Sequence, residues 1–81
     1  MIRIYSLSTC GHCRQAKKLL NELGAEYSTV EVDRLGGEER SFAISEVRKV
    51  NPALSFPTII IGERVIAGNR ESLIRQALEE E

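Results

Sequence analysis

The spacing of hydrophobic residues changes several times along this chain, and each change marks an element. In Ile2–Leu7, Ile2 and Ile4 form one apolar set and Tyr5 and Leu7 another. This predicts a strand covered on both faces and central in its sheet. From Gly11 to Leu23 the residues Cys13, Ala16, Leu19, Leu20 and Leu23 fall on one helical face, a core stripe, with Arg14, Gln15, Lys17, Lys18, Asn21 and Glu22 opposite. Gly24 follows as the residue that ends the helix. Tyr27–Val32 is rich in β-branched residues, with Val30 and Val32 on one side and Asp33 closing it, so it predicts a second strand.

Gly36-Gly37 opens a second helix with Glu38 and Glu39 in its first turn and Lys49 in its last. Ala43, Val47 and Val50 face inward, and Asn51-Pro52 stops it. Thr58–Ile61 and Arg64–Ala67 flank Gly62-Glu63, the pattern of a two-residue hairpin loop. A third helix is expected to start at Asn69 as N-cap and to bury Leu73, Ile74, Ala77 and Leu78. Glu79, Glu80 and Glu81 oppose the dipole at its far end, where fraying is expected.

The resulting order, βαβαββα, begins with a parallel strand pair joined by a right-handed crossover, an α/β arrangement. With 81 residues and 42% hydrophobic content, the expectation is one domain, residues 1–81, with one core and no linker or repeat. Net charge is −1 with both signs interspersed, which argues against nucleic acid or an anionic membrane as partner. No segment has the length of a signal peptide's apolar run or of a membrane span. A monomer in the reducing cytoplasm is expected, where paired cysteines are catalytic more often than structural.

The only two cysteines fall in Cys10-Gly11-His12-Cys13, at the junction of the first strand and helix. A cysteine at a helix start meets unsatisfied backbone N–H groups, whose positive partial charge stabilises a thiolate. Helical spacing keeps the second sulfur within bonding distance of the first, so the pair is suited to cycle between dithiol and disulfide. Two residues between the cysteines close too small a loop to constrain an unfolded chain much. His12 between them is expected to help lower the Cys10 pKa. Lowering it raises the thiolate fraction but reduces intrinsic nucleophilicity, so the larger gains are a better leaving group and a stabilised reduced state.

Three segments carry a family resemblance: Ser8-Thr9-Cys10-Gly11-His12-Cys13, Ser55-Phe56-Pro57-Thr58, and Ala67-Gly68-Asn69-Arg70-Glu71. With the element order they resemble the thioredoxin fold, and in its short form the glutaredoxins and glutaredoxin-like redoxins. That resemblance implies a four-stranded mixed sheet with three helices, and a thiol-disulfide oxidoreductase. It implies Cys10 as nucleophile, Cys13 as resolving thiol, a cis Pro57 facing the cysteines, and a substrate groove bordered by Thr9, Gly11, Phe56, Pro57, Gly68, Asn69 and Arg70. Gly68 would supply a positive φ before the last helix. No bound cofactor is implied beyond the Cys10–Cys13 redox pair. Disulfide-containing proteins are the implied substrates, with glutathione or a reductase as electron donor.

Glutaredoxins usually place Pro-Tyr between the cysteines, a basic residue before them, Thr-Val-Pro at the turn and Gly-Gly-x-Asp before the last helix. This chain has Gly-His, Ser8-Thr9, Phe56-Pro57 and Gly68-Asn69-Arg70-Glu71 at those places. The alternative reading is a Cu(I) or iron–sulfur cluster carrier using both cysteines as ligands. Copper chaperones of this length resemble Met-x-Cys-x-x-Cys in a βαββαβ order, whereas here Ser8 replaces the methionine and the predicted order ends in a helix. With one histidine and two cysteines, one chain cannot supply a closed four-ligand Cys/His zinc site.

Overall fold

The computed structural model describes residues 1–80; Glu81, and with it part of the expected C-terminal fraying, lies outside the described residues. Strand β1 is Ile2–Ser6, helix α1 Gly11–Glu22, strand β2 Ser28–Glu31, helix α2 Gly37–Val50, strand β3 Thr58–Ile61, strand β4 Arg64–Ala67 and helix α3 Glu71–Glu79. A single 3-10 turn, Val32–Arg34, follows β2. The strands form one sheet in the order β2-β1-β3-β4, with β1 parallel to β2, and β3 antiparallel to both β1 and β4. This is the four-stranded mixed sheet with three helices expected from the sequence.

Both faces of β1 are covered. Ile4 is 0% exposed and Tyr5 5%, although they point to opposite sides of the sheet. On the Ile4 side, Ala16 and Leu20 of α1 and Ile74 and Ala77 of α3 pack with Ile59, Ile61 and Ile66. On the Tyr5 side, Ala43 and Val47 of α2 pack with Val32. Fully burying one such aliphatic side chain is worth roughly 1.5–3 kcal/mol, so the two layers are the main source of stability.

Helix α1 ends in a Schellman arrangement. Gly24 at φ +71 donates its N–H to the Asn21 carbonyl at 3.1 Å, and Ala25 donates to Leu20 at 3.0 Å. At the β3–β4 hairpin, Gly62 supplies the positive φ at the first loop position.

The structure corrects several expectations. Leu7 lies beyond β1, and Tyr27 and Val32 lie outside β2, although Val32 stays buried within the 3-10 turn. Leu23, Val50 and Leu73 are exposed rather than core. Leu23 sits past the last helical residue of α1, and Val50 is the final residue of α2, where the sheet no longer covers them. Leu73 falls at the margin of a narrow stripe on a nine-residue helix, whose buried positions are Ile74 and Ala77. Arg70, with extended backbone, occupies the N-cap position of α3, so Asn69 does not cap it.

Candidate active site

The sheet registers bring the three singled-out segments to one edge of the molecule. Tyr5 of β1 is opposite Thr58 of β3, and Thr58 is opposite Ala67 of β4. The chain leaving β1 toward Cys10, the chain entering β3 through Pro57, and the chain leaving β4 through Gly68 therefore lie side by side. The Phe56–Pro57 peptide is cis, as the resemblance implies, and Pro57 is fully buried. Gly68, at φ +89, donates its N–H to the Pro57 carbonyl at 2.7 Å. Asn69 then donates its side-chain N–H to Gln15 Oε1 on α1 at 3.2 Å. The last loop is thus tied both to the proline turn and to the helix that carries the cysteines.

Cys10 stands at the N-cap position of α1 with extended backbone, where the first N–H groups of the helix lack backbone partners. Both cysteines are free thiols, Cys10 half-buried and Cys13 0% exposed. Partial burial works to raise the Cys10 pKa. It is outweighed by hydrogen bonding from the Cys13 side chain and from the backbone of Cys13 and His12, and by the charge of Arg14, so the net shift is downward from 9.0. Cys13 goes the other way. Burial chiefly pushes it up to about 11; its hydrogen bond to Cys10 and the Cys10 charge add to this, while the Leu7 backbone and the Lys17 charge pull back. His12 is exposed and acts on Cys10 through its backbone.

Leu7 contacts both cysteines, Cys10 through its backbone and Cys13 at its sulfur. Its carbonyl accepts the Cys10 N–H at 3.2 Å, and its backbone also reaches Cys13. The adjacent Ser8 is held twice by Asp33, whose Oδ1 accepts the Ser8 N–H at 2.9 Å and whose Oδ2 accepts its hydroxyl. Arg40 of α2 donates to the Asp33 carbonyl at 3.1 Å. Of the remaining expected groove residues, Thr9 and Gly11 are exposed beside Cys10, and Phe56 is half-buried. Arg70 is exposed, with Nε donating to the Ala67 carbonyl at 3.3 Å.

Three contributors escape the sequence reading. Asp33 looks there like a strand terminator, Asn51 like a helix stop, and Leu7 like the end of a strand. Asn51 is in fact buried, and its side-chain nitrogen donates to Thr58 Oγ1 at 3.0 Å and to Ser55 Oγ at 3.0 Å. Among the described residues no cluster of three or more His, Cys, Asp or Glu is placed to hold a metal ion, and no helix is long and apolar enough to cross a membrane.

Residues 2–66 match the glutaredoxin family model. The chain belongs to the glutaredoxin family. A glutaredoxin of Ricinus communis is 35% identical over 66 residues, 80% of this chain and 62% of that protein, so the chain spans about three-fifths of that relative. Methanoredoxin of Methanosarcina acetivorans superimposes with a TM-score of 0.91 at 49% identity, covering 95% of this chain and 82% of that one. A buckwheat glutaredoxin in complex with glutathione matches with a TM-score of 0.73 at 25% identity, over 98% of this chain and 69% of that one. Family and fold together support a thiol-redox function.

Proposed function

We propose that this glutaredoxin is a thiol-disulfide oxidoreductase working by a dithiol cycle. The observation that carries the proposal is the asymmetry of the two sulfurs: Cys10 reachable with a lowered pKa, Cys13 buried with its pKa pushed up to about 11. The Cys10 thiolate attacks one sulfur of a substrate disulfide and the other sulfur leaves as a thiolate, giving a mixed disulfide on Cys10. That bond removes the negative charge of Cys10, one of the causes that hold Cys13 protonated. Cys13 then loses its proton more readily, attacks the Cys10 sulfur and expels the second substrate thiolate. An external thiol or reductase returns the Cys10–Cys13 disulfide to the dithiol.

The substrates in this reading are protein disulfides or small mixed disulfides, and the site of action is the cytoplasm. The glutathione complex of the buckwheat protein supports glutathione as electron donor. A dedicated reductase is the other donor class. The sheet registers support a groove between Pro57 and the Gly68–Arg70 loop as the place where the mixed disulfide sits.

The test is a disulfide-reduction assay supplied in turn with glutathione and with a reductase, run beside metal analysis of the purified protein. Cys10→Ser is expected to abolish turnover, and Cys13→Ser to accumulate the mixed disulfide. Activity surviving in Cys10→Ser, or tight Cu(I) or cluster loading with negligible reductase activity, would reject the proposal.

A further inference from the structure

Beside the cysteines runs an open groove of about 580 Å³ walled by Leu7, Val32, Ile44, Leu54 and Phe56. It adjoins the candidate active site through Leu7 and Phe56. The Leu7 carbonyl bonds to the Cys10 N–H, and Phe56 forms the cis bond to Pro57. Neither cysteine lines the groove, but its Leu7 and Phe56 walls adjoin Cys10 and Pro57, so a residue flanking the reacting cysteine of a substrate on Cys10 is within reach of it. Two charged residues also border it, Asp33 and Arg40, and both are engaged: Asp33 holds Ser8, and Arg40 donates to the Asp33 carbonyl. An occupant meets mainly hydrocarbon.

Leu54 gives the groove a second peculiarity. Among the described residues it is the one non-glycine residue with positive φ, at +54. It closes a turn by donating its N–H to the Asn51 carbonyl at 2.9 Å. Glycine or asparagine adopts that conformation with less strain, so the turn alone gives no reason for leucine. What leucine adds is an apolar side chain that packs against the Tyr5-side core and presents its remaining surface on the groove wall. Backbone strain of this kind persists where the surrounding structure holds it, often at ligand-binding positions.

We propose that this groove receives an apolar side chain next to the reacting cysteine of a protein disulfide, and that Leu54 is a specificity-determining residue for it. The inference rests on the redox reading above and names its substrate class. Glutathione, with two carboxylates and an ammonium group, has no apolar side chain to place against such a wall.

The test uses two peptide disulfides that differ only in carrying leucine or serine beside the cysteine, with the ratio of their kcat/KM values as readout. The unmodified protein is expected to favour the leucine peptide about tenfold, the scale set by a buried apolar group in a pocket. In Leu54→Asn and Leu54→Gly, both compatible with positive φ, that ratio is expected to fall toward one, with thermal unfolding confirming that each variant is folded. A ratio near one in the unmodified protein, or a ratio unchanged in both variants, overturns the inference. A glutathione mixed disulfide is assayed beside the peptides, and a loss in the variants confined to it also overturns the inference, assigning the groove to glutathione. Absence of Cys10-dependent turnover on either peptide would instead sink the redox reading beneath it.

Discussion

The Asn51 side-chain amide donates to the Thr58 hydroxyl at 3.0 Å, bridging the turn that carries Leu54, Phe56 and Pro57. The same nitrogen reaches the Ser55 carbonyl at 3.1 Å, and the Thr58 hydroxyl in turn donates to that carbonyl at 2.7 Å. One buried amide therefore fixes both ends of the segment facing the cysteines. Asn51→Ala removes the donor to the buried Thr58 hydroxyl, at an expected cost of about 1–3 kcal/mol. Denaturant unfolding measures this. Disulfide turnover is expected to drop as well, because the Phe56–Pro57 wall loses its anchor; full stability in the variant would contradict the role assigned to Asn51.

The two thiols give the reduced protein opposite pH dependences. Folding raises the Cys13 pKa to about 11 from an ordinary 9.0, so the folded state favours its protonated form. Its contribution to stability is complete below 9.0 and lost as pH rises toward 11. Folding lowers the Cys10 pKa, so its contribution is complete above 9.0 and lost as pH falls through the lowered value. Unfolding under reducing conditions across this range is expected to show the alkaline loss, and Cys13→Ser to abolish it. Alkylation of Cys10 is expected to follow a midpoint below 9.0.

Asp33 anchors Ser8 in the segment that leads from β1 to Cys10. The lowered pKa of Asp33 arises from the hydroxyl and backbone of Ser8, so the carboxylate remains charged well into acid. Asp33→Ala frees the Leu7–Ser8 segment, whose Leu7 backbone pulls the Cys13 pKa down, and the Cys13 pKa is expected to rise further. Ser8→Ala keeps the backbone bond to Oδ1 and is expected to shift it less. Thiolate absorbance against pH reads both variants; equal shifts would show that the hydroxyl alone matters.

Two glycines near the site are expected to respond oppositely to alanine. A Cβ at either Gly11 or Gly68 meets nothing within 4 Å, so packing does not distinguish them. Gly68 has φ +89, and Gly68→Ala is expected to cost about 1–2 kcal/mol in backbone strain. Gly11 starts α1 without a positive φ, and Gly11→Ala is expected to be neutral or stabilising by up to about 1 kcal/mol. Thermal unfolding of the pair checks the contrast.

The sequence makes the sheet legible because β1 carries apolar residues on both faces, which only a doubly covered strand requires. The Cys10–Cys13 pair is legible because its position at a strand–helix junction supplies the electrostatics. What stays hidden depends on partners distant along the chain. Asp33 holds Ser8 across 25 positions, and Asn69 reaches Gln15 across 54. A local capping rule assigns Asn69 to the helix start because it cannot see Gln15. Leu54 reads as an ordinary loop leucine until its φ is known, and the exposure of Leu73 follows from how narrow a stripe α3 presents to the sheet.

With Cys13 sealed beneath the surface, the molecule offers the outside world a single handle. A bulky oxidant or alkylating reagent counts one thiol in the intact protein and two in the unfolded chain, so reagent stoichiometry doubles as a gauge of foldedness. In the proposed dithiol cycle the same shielding sets the order of events, with incoming disulfides meeting Cys10 first because Cys13 is covered.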